Sequence, residues 1–97
     1  MAFFVVTMVN GPRYDRARDR RGQPGWDEHA AFMDGLVEAG FVVLDGPIGD
    51  GEQVMVVAEA ADQAEVRARL ADDPWAPMGI LTIGEIRPWT IWLDGRS

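Results

Sequence analysis

Ninety-seven residues, 47% hydrophobic and 26% charged, suit one small globular domain spanning 1-97. The chain has no cysteine, which excludes disulfides and thiolate chemistry and fits a cytoplasmic setting. A net charge of -7 with no lysine makes nucleic acid a poor partner, because phosphates need a positive face.

The first expected strand runs from Ala2 to Val9, with Phe3, Val5 and Val9 on one side and Phe4, Val6 and Met8 on the other. Both sides are apolar, so both should be covered. This apolar run has no basic leader and is far shorter than the ~20 residues of a membrane span, so no membrane partner is expected. Asn10-Gly11-Pro12 ends it. Residues 13 to 22 read as a loop holding Arg13, Arg16, Arg18, Arg20 and Arg21, five of the nine basic residues. It is either a solvated surface loop or an anion-binding lid, since the planar arginine fork suits carboxylates.

Gln23 to Gly40 carries the signals of a complete helix. Pro24 suits the first turn, Asp27 and Glu28 suit the positive end of the dipole, and Gly40 supplies a left-handed stop. His29, Met33, Leu36, Val37 and Gly40 fall on one stripe at helical period. The only histidine therefore starts the inward face. The helix start and partial burial favour a neutral imidazole that can accept a proton, while Asp27 and Glu28 oppose this.

Phe41 to Asp45 is the second expected strand, and residues 46 to 51 are a turn-rich connection. Gln53 to Glu59 completes a hairpin. Ala60 to Asp72 is the second helix, with Asp62 as N-cap and Glu65 as its reciprocal partner. Residues 73 to 79, with two prolines, break it. Residues 80 to 87 form the fourth strand and 88 to 93 extend it, Pro88 marking an edge, a bulge or an end.

The order β-α-β-β-α-β predicts an α+β, ferredoxin-like fold: a four-stranded antiparallel sheet with two helices on one face. Strands apolar on both faces would leave the uncovered face as a large hydrophobic patch. A homodimer packed sheet to sheet resolves that problem.

Several short motifs stand in a telling order: a histidine at the start of the first helix, Gly-Phe-Val-Val-Leu-Asp-Gly-Pro at 40 to 47, Asp-Asp-Pro-Trp at 72 to 75 and Ile-Arg-Pro-Trp at 86 to 89. Together they resemble the YCII-related (YciI-like) domain family over nearly the whole chain. The resemblance implies a dimeric α+β barrel and a histidine–aspartate pair proposed to be catalytic. His29 takes the histidine position and Asp73 the Asp-Pro-aromatic position, with Asp45 and Asp34 as further candidates for the partner. Asp34, five residues after His29, is expected to point away. Gly46 and Pro47 match the family's turn near the pocket. One relative eliminates chloride from a chlorinated hydroxyquinol, the fold is shared with muconolactone isomerase, and most members have no assigned substrate.

A carboxylate on one imidazole nitrogen would set the tautomer and leave the other nitrogen free to accept a proton. Asp73 before proline also suits a plain turn role. Trp26 and Trp75 flank His29 and Asp73 and are expected near the pocket, with Arg13, Gly46 and Pro47 as further substrate contacts. Trp89 and Trp92 are assigned to the interface or the C-terminal edge. One histidine without cysteine argues against a metal site. No phosphate-cradling glycine motif or nucleophilic serine stands out.

The expected activity is thus a cofactor-independent lyase or isomerase acting on a small aromatic or anionic ligand. A non-catalytic binding or accessory protein is the alternative, and a cofactor-independent monooxygenase on the same kind of barrel is a weaker third.

Overall fold

In the computed structural model, which describes residues 1–96, four strands form one antiparallel sheet. They are β1 (Ala2–Asn10), β2 (Val42–Ile48), β3 (Gln53–Ala60) and β4 (Leu81–Trp89), in the spatial order β2-β3-β1-β4. Helices α1 (Trp26–Glu38) and α2 (Gln63–Leu70) make the split βαβ units, and the single-turn α3 (Trp75–Met78) precedes β4. The chain is α+β and ferredoxin-like.

Alternation along the strands decides the core. On β1, Phe4, Val6 and Met8 are buried, while Phe3, Val5, Thr7 and Val9 are only half-buried. Val54, Val56 and Ala58 of β3 join the first set, and Leu36, Val66, Leu70 and Trp75 cover it from the helices. Each such aliphatic side chain contributes about 1.5–3 kcal/mol on burial.

Helix α1 ends as its glycine predicts. Gly40 has φ 79°, its N–H donates to Val37 O at 3.0 Å, and Phe41 N–H donates to Leu36 O at 3.0 Å. Those two bonds satisfy carbonyls that the helix itself cannot. Its start lies later than expected. Gly25 (φ 77°) is the N-cap, so Pro24 stands outside the first turn. On α2, Asp62 accepts from Glu65 N–H at 2.8 Å, and Glu65 reaches back to Ala61 N–H at 2.7 Å. Ala60 belongs to β3 instead.

Both outer strands carry proline. Pro47 lies within β2 and Pro88 within β4. An edge strand leaves one row of N–H groups outside the ladder, so a missing donor costs no sheet bond there. This is why β2 runs on to Ile48 where a turn was expected after Asp45. A register shift between Val42 and Leu44 inserts one residue into β2. After it, Asp45 pairs with Val56 and Pro47 with Val54, so both face the helices. Gly84 makes a matching irregularity opposite Thr7 and Met8, where a Cβ would come within 3.0 Å of Thr7 O.

Among the described residues, no helix covers the other face of the sheet. Leu44, Ile48, Met55 and Trp89 are exposed there. The expectation that all four strands are apolar on this side is corrected at β4, where Glu85 and Arg87 pair with Thr7 and Val5. The segment after β4 turns back over this face. Ile91 and Leu93 line a hollow of about 180 Å³ with Val43, Leu44, Val57 and Trp89.

Candidate functional site

The sequence places His29 one turn into α1 and Asp73 just after α2, and the fold brings them together. His29 Nδ1 lies 2.8 Å from Asp73 Oδ2 and 3.0 Å from Oδ1. Both residues are buried. An ionised carboxylate only accepts, so Nδ1 carries the proton and donates it. In the neutral imidazole, Nε2 then keeps its lone pair. Asp34 and Asp45 are not the partner.

The turn role expected of Asp73 holds at the same time. Its Oδ1 also accepts Trp75 N–H at 2.9 Å, and its carbonyl accepts Ala76 N–H at 2.9 Å. The carboxylate is therefore aimed by the start of α3. Among the described residues, no buried side-chain polar atom lacks a hydrogen-bond partner.

Trp75 sets the plane of the imidazole. The rings stack at 3.9 Å between centroids and 7° between planes. Trp75 Nε1–H donates to Pro24 O at 2.8 Å. The next residue, Gly25, has a φ of 77°, a conformation that glycine adopts without strain, and a Cβ there would also press on Met78 Sδ at 3.3 Å. Trp26 tilts against both rings at 5.7 Å. The aromatic contacts are worth about 0.5–1.5 kcal/mol each beyond their burial.

His29 and Asp73 border a cavity of about 280 Å³ between α1 and the sheet. Met8, Val54 and Val56 form its floor, and Met33, Leu70 and Leu81 close its sides. Trp26, Gly46 and Pro47 line it as expected. Two expected contacts lie elsewhere. Trp75 is fully buried behind the imidazole, so it supports the histidine and does not line the cavity. Arg13 packs against Gly79, to whose carbonyl its N–H donates at 2.8 Å, and does not line the cavity either. Asp34 lines the cavity's rim although its spacing from His29 suggested otherwise.

The cavity's arginine is Arg20. Its Nη1 donates to Asn10 Oδ1 at 3.0 Å and its Nη2 to Gly51 O at 2.6 Å. It sits in a short 3-10 turn, Arg20–Gly22, capped by Asp19. The sequence marked the loop, but nothing local separated Arg20 from four neighbouring arginines. Gln23, buried and unremarked in the sequence, holds the loop in shape. Its Oε1 accepts Asp15 N–H at 2.8 Å, and its amide donates to the carbonyls of Asp15, Arg18 and Asp19.

Asp45 also faces this cavity, from the mouth. Removal from water raises its carboxyl above the ordinary aspartate value, His29 and Arg20 lower it, and Asp73 adds to the rise. Among the described residues, no three of His, Asp and Glu converge as metal ligands. No helix among them is long and apolar enough to cross a membrane.

A sequence profile of the YCII-related domain family matches residues 2–90. No curated protein matches the chain.

Proposed function

This chain belongs to the YCII-related domain family, and on that premise we propose that it moves protons on a small substrate as a lyase or isomerase. One observation carries the reading: a buried histidine bonded to a buried carboxylate at 2.8 Å, on the wall of a cavity of ligand size. In this proposal Nε2 of His29 takes a proton from a substrate carbon. The electron pair of the broken C–H bond either expels a leaving group or moves along a conjugated system. Asp73 stabilises the imidazolium that forms and keeps the ring in the productive tautomer. The imidazolium then returns its proton to the leaving group, to another substrate carbon or to water. No step calls on a cofactor or a metal.

The apolar floor and Trp26 suit a small aromatic or unsaturated ring. The proposed assembly is a homodimer through the uncovered sheet face, supported by the exposed Leu44, Ile48, Met55 and Trp89. Binding without chemistry is the second reading, favoured by the tight stacking of His29 on Trp75.

The test is a thermal-shift screen of small phenols, lactones and aromatic carboxylates on wild type, His29→Ala and Asp73→Asn. Hits are then followed by NMR for solvent deuterium incorporation. General-base catalysis predicts exchange that falls roughly 10²-fold or more in His29→Ala. Ligands that stabilise wild type and His29→Ala alike, without exchange, would sink the enzyme reading and leave the binding one.

A further inference from the structure

Among the described residues that line the cavity there is one arginine, Arg20, and no carboxylate lies within ion-pair distance of it. Arg20 is part-buried and lines the cavity with His29 and Asp45. Both its hydrogen-bond acceptors, Asn10 Oδ1 and Gly51 O, are neutral. Among the described residues, no aspartate or glutamate forms an ion pair with it. Its guanidinium lies 5.5 Å from the centroid of the Tyr14 ring, which limits where the fork can point. A guanidinium has five N–H donors, so donors remain after these two bonds. The group is thus fixed in place, still charged, and bordered by apolar walls.

We propose that Arg20 is the specificity-determining residue of this cavity, and that the ligand it selects is a carboxylate on a small apolar or aromatic body. The inference rests on the reading of the cavity as a ligand site and names its substrate class.

Three carboxylates also border the space, and they oppose an anion. Asp73 is occupied by His29 and by Trp75 N–H. Asp34 and Asp45 are both exposed to water, which screens them in part. Asp45 is the real opponent, from the mouth. Its carboxyl is raised above the ordinary aspartate value, chiefly by desolvation, with His29 and Arg20 acting against the rise. A carboxylate bound at Arg20 would push it further in that direction, and to the extent that Asp45 stays ionised it weakens the ligand's hold. Direct, charge-assisted bonds from the arginine fork then outweigh what repulsion remains.

Benzoate and benzamide test this, because they share shape and differ in charge. Their affinities are measured by calorimetry at pH 8 on wild type, Arg20→Met, Arg20→Lys and Asp45→Asn. Wild type should bind benzoate about tenfold more tightly than benzamide. Arg20→Met should abolish that preference while leaving benzamide within about twofold, as expected when a charge-assisted bond alone is lost. Arg20→Lys keeps the charge without the fork and should retain part of the preference. Should Arg20→Met fail to fold, Asp45→Asn decides: it should widen the preference several-fold by removing the repulsion. Equal binding of the two probes by wild type, or an unchanged ratio in Arg20→Met or Asp45→Asn, overturns the assignment of Arg20 alone. If neither probe binds wild type, the reading of the cavity as a site for aromatic ligands fails with it.

Discussion

Val56 and Val57 are neighbours on β3 and both are hidden, at 1% and 2% exposure, but they are hidden by different things. Val56 lies under the helices, in the main core and on the floor of the cavity. Val57 faces the other side, where Leu44, Trp89, Ile91 and Leu93 surround a hollow. One face of the sheet is closed by helices, with His29 on α1 and Asp73 in the turn between α2 and α3. The other is closed only in part, by a segment without regular structure. The first face holds the His29–Asp73 pair in a fixed geometry, because the hydrogen bonds to Asp73 and the stack on Trp75 orient it beside the cavity. The second has apolar area still to bury, which suits association.

That contrast can be broken most severely at Trp75, which closes the helix side. Trp75→Ala should cost about 3–5 kcal/mol by urea denaturation, because a fully buried indole leaves a cavity behind. Trp75→Phe keeps the stack on His29 and loses the bond to Pro24 O, so about 1 kcal/mol is expected. A loss in Trp75→Ala no larger than that of Trp75→Phe would show that the stack does not carry the site. On the other face, Leu44→Asp should change monomer stability by no more than about 0.5 kcal/mol, as for most surface positions. It should also abolish the proposed dimer in sedimentation velocity. A wild type that stays monomeric at high concentration, or a Leu44→Asp dimer, would remove the uncovered face as the interface.

The smallest expected effect sharpens the comparison within the cavity. Asp73 and Asp45 both line it, yet the first is held by His29 and Trp75 N–H while the second stands exposed at the mouth, with no side-chain hydrogen bond among the described residues. Asp45 binds its proton more tightly folded than unfolded. Stability from that proton is full below the unfolded aspartate value and is lost as pH rises through the folded one. Asp45→Asn should therefore raise the urea midpoint slightly at neutral pH, and the gain should vanish in acid below the ordinary aspartate range. A midpoint lowered at neutral pH would mean that the ionised carboxylate stabilises the fold.

Much of the fold was legible because its signals are local. Alternation marked β1 and β3, Gly40 ended α1, and the Asp62–Glu65 pair opened α2. Pro88 announced an edge. The histidine was legible because it stands alone and on an apolar helical stripe. Asp73 emerged only with the family pattern, since a turn aspartate before proline is common, and its two roles share one carboxylate. Trp75 and Arg13 were misplaced for one reason. Nearness in sequence to His29, Asp73 or an arginine-rich loop does not say which way a side chain turns.

By itself, then, the order of residues determined the main strands and helices and their ferredoxin-like arrangement, and it singled out one histidine. Whatever depends on contacts between distant segments was decided by the tertiary structure. Arg20 differs from its neighbouring arginines because Asn10 on β1 and Gly51 beyond β2 hold it at the cavity. Asp45 faces the histidine because one inserted residue in β2 rotates everything after it by half a pleat. A strand's side chains alternate with period two, so a single unpaired residue moves a carboxylate from one face to the other. Pairing with β3, and no local preference of β2, sets where that residue falls.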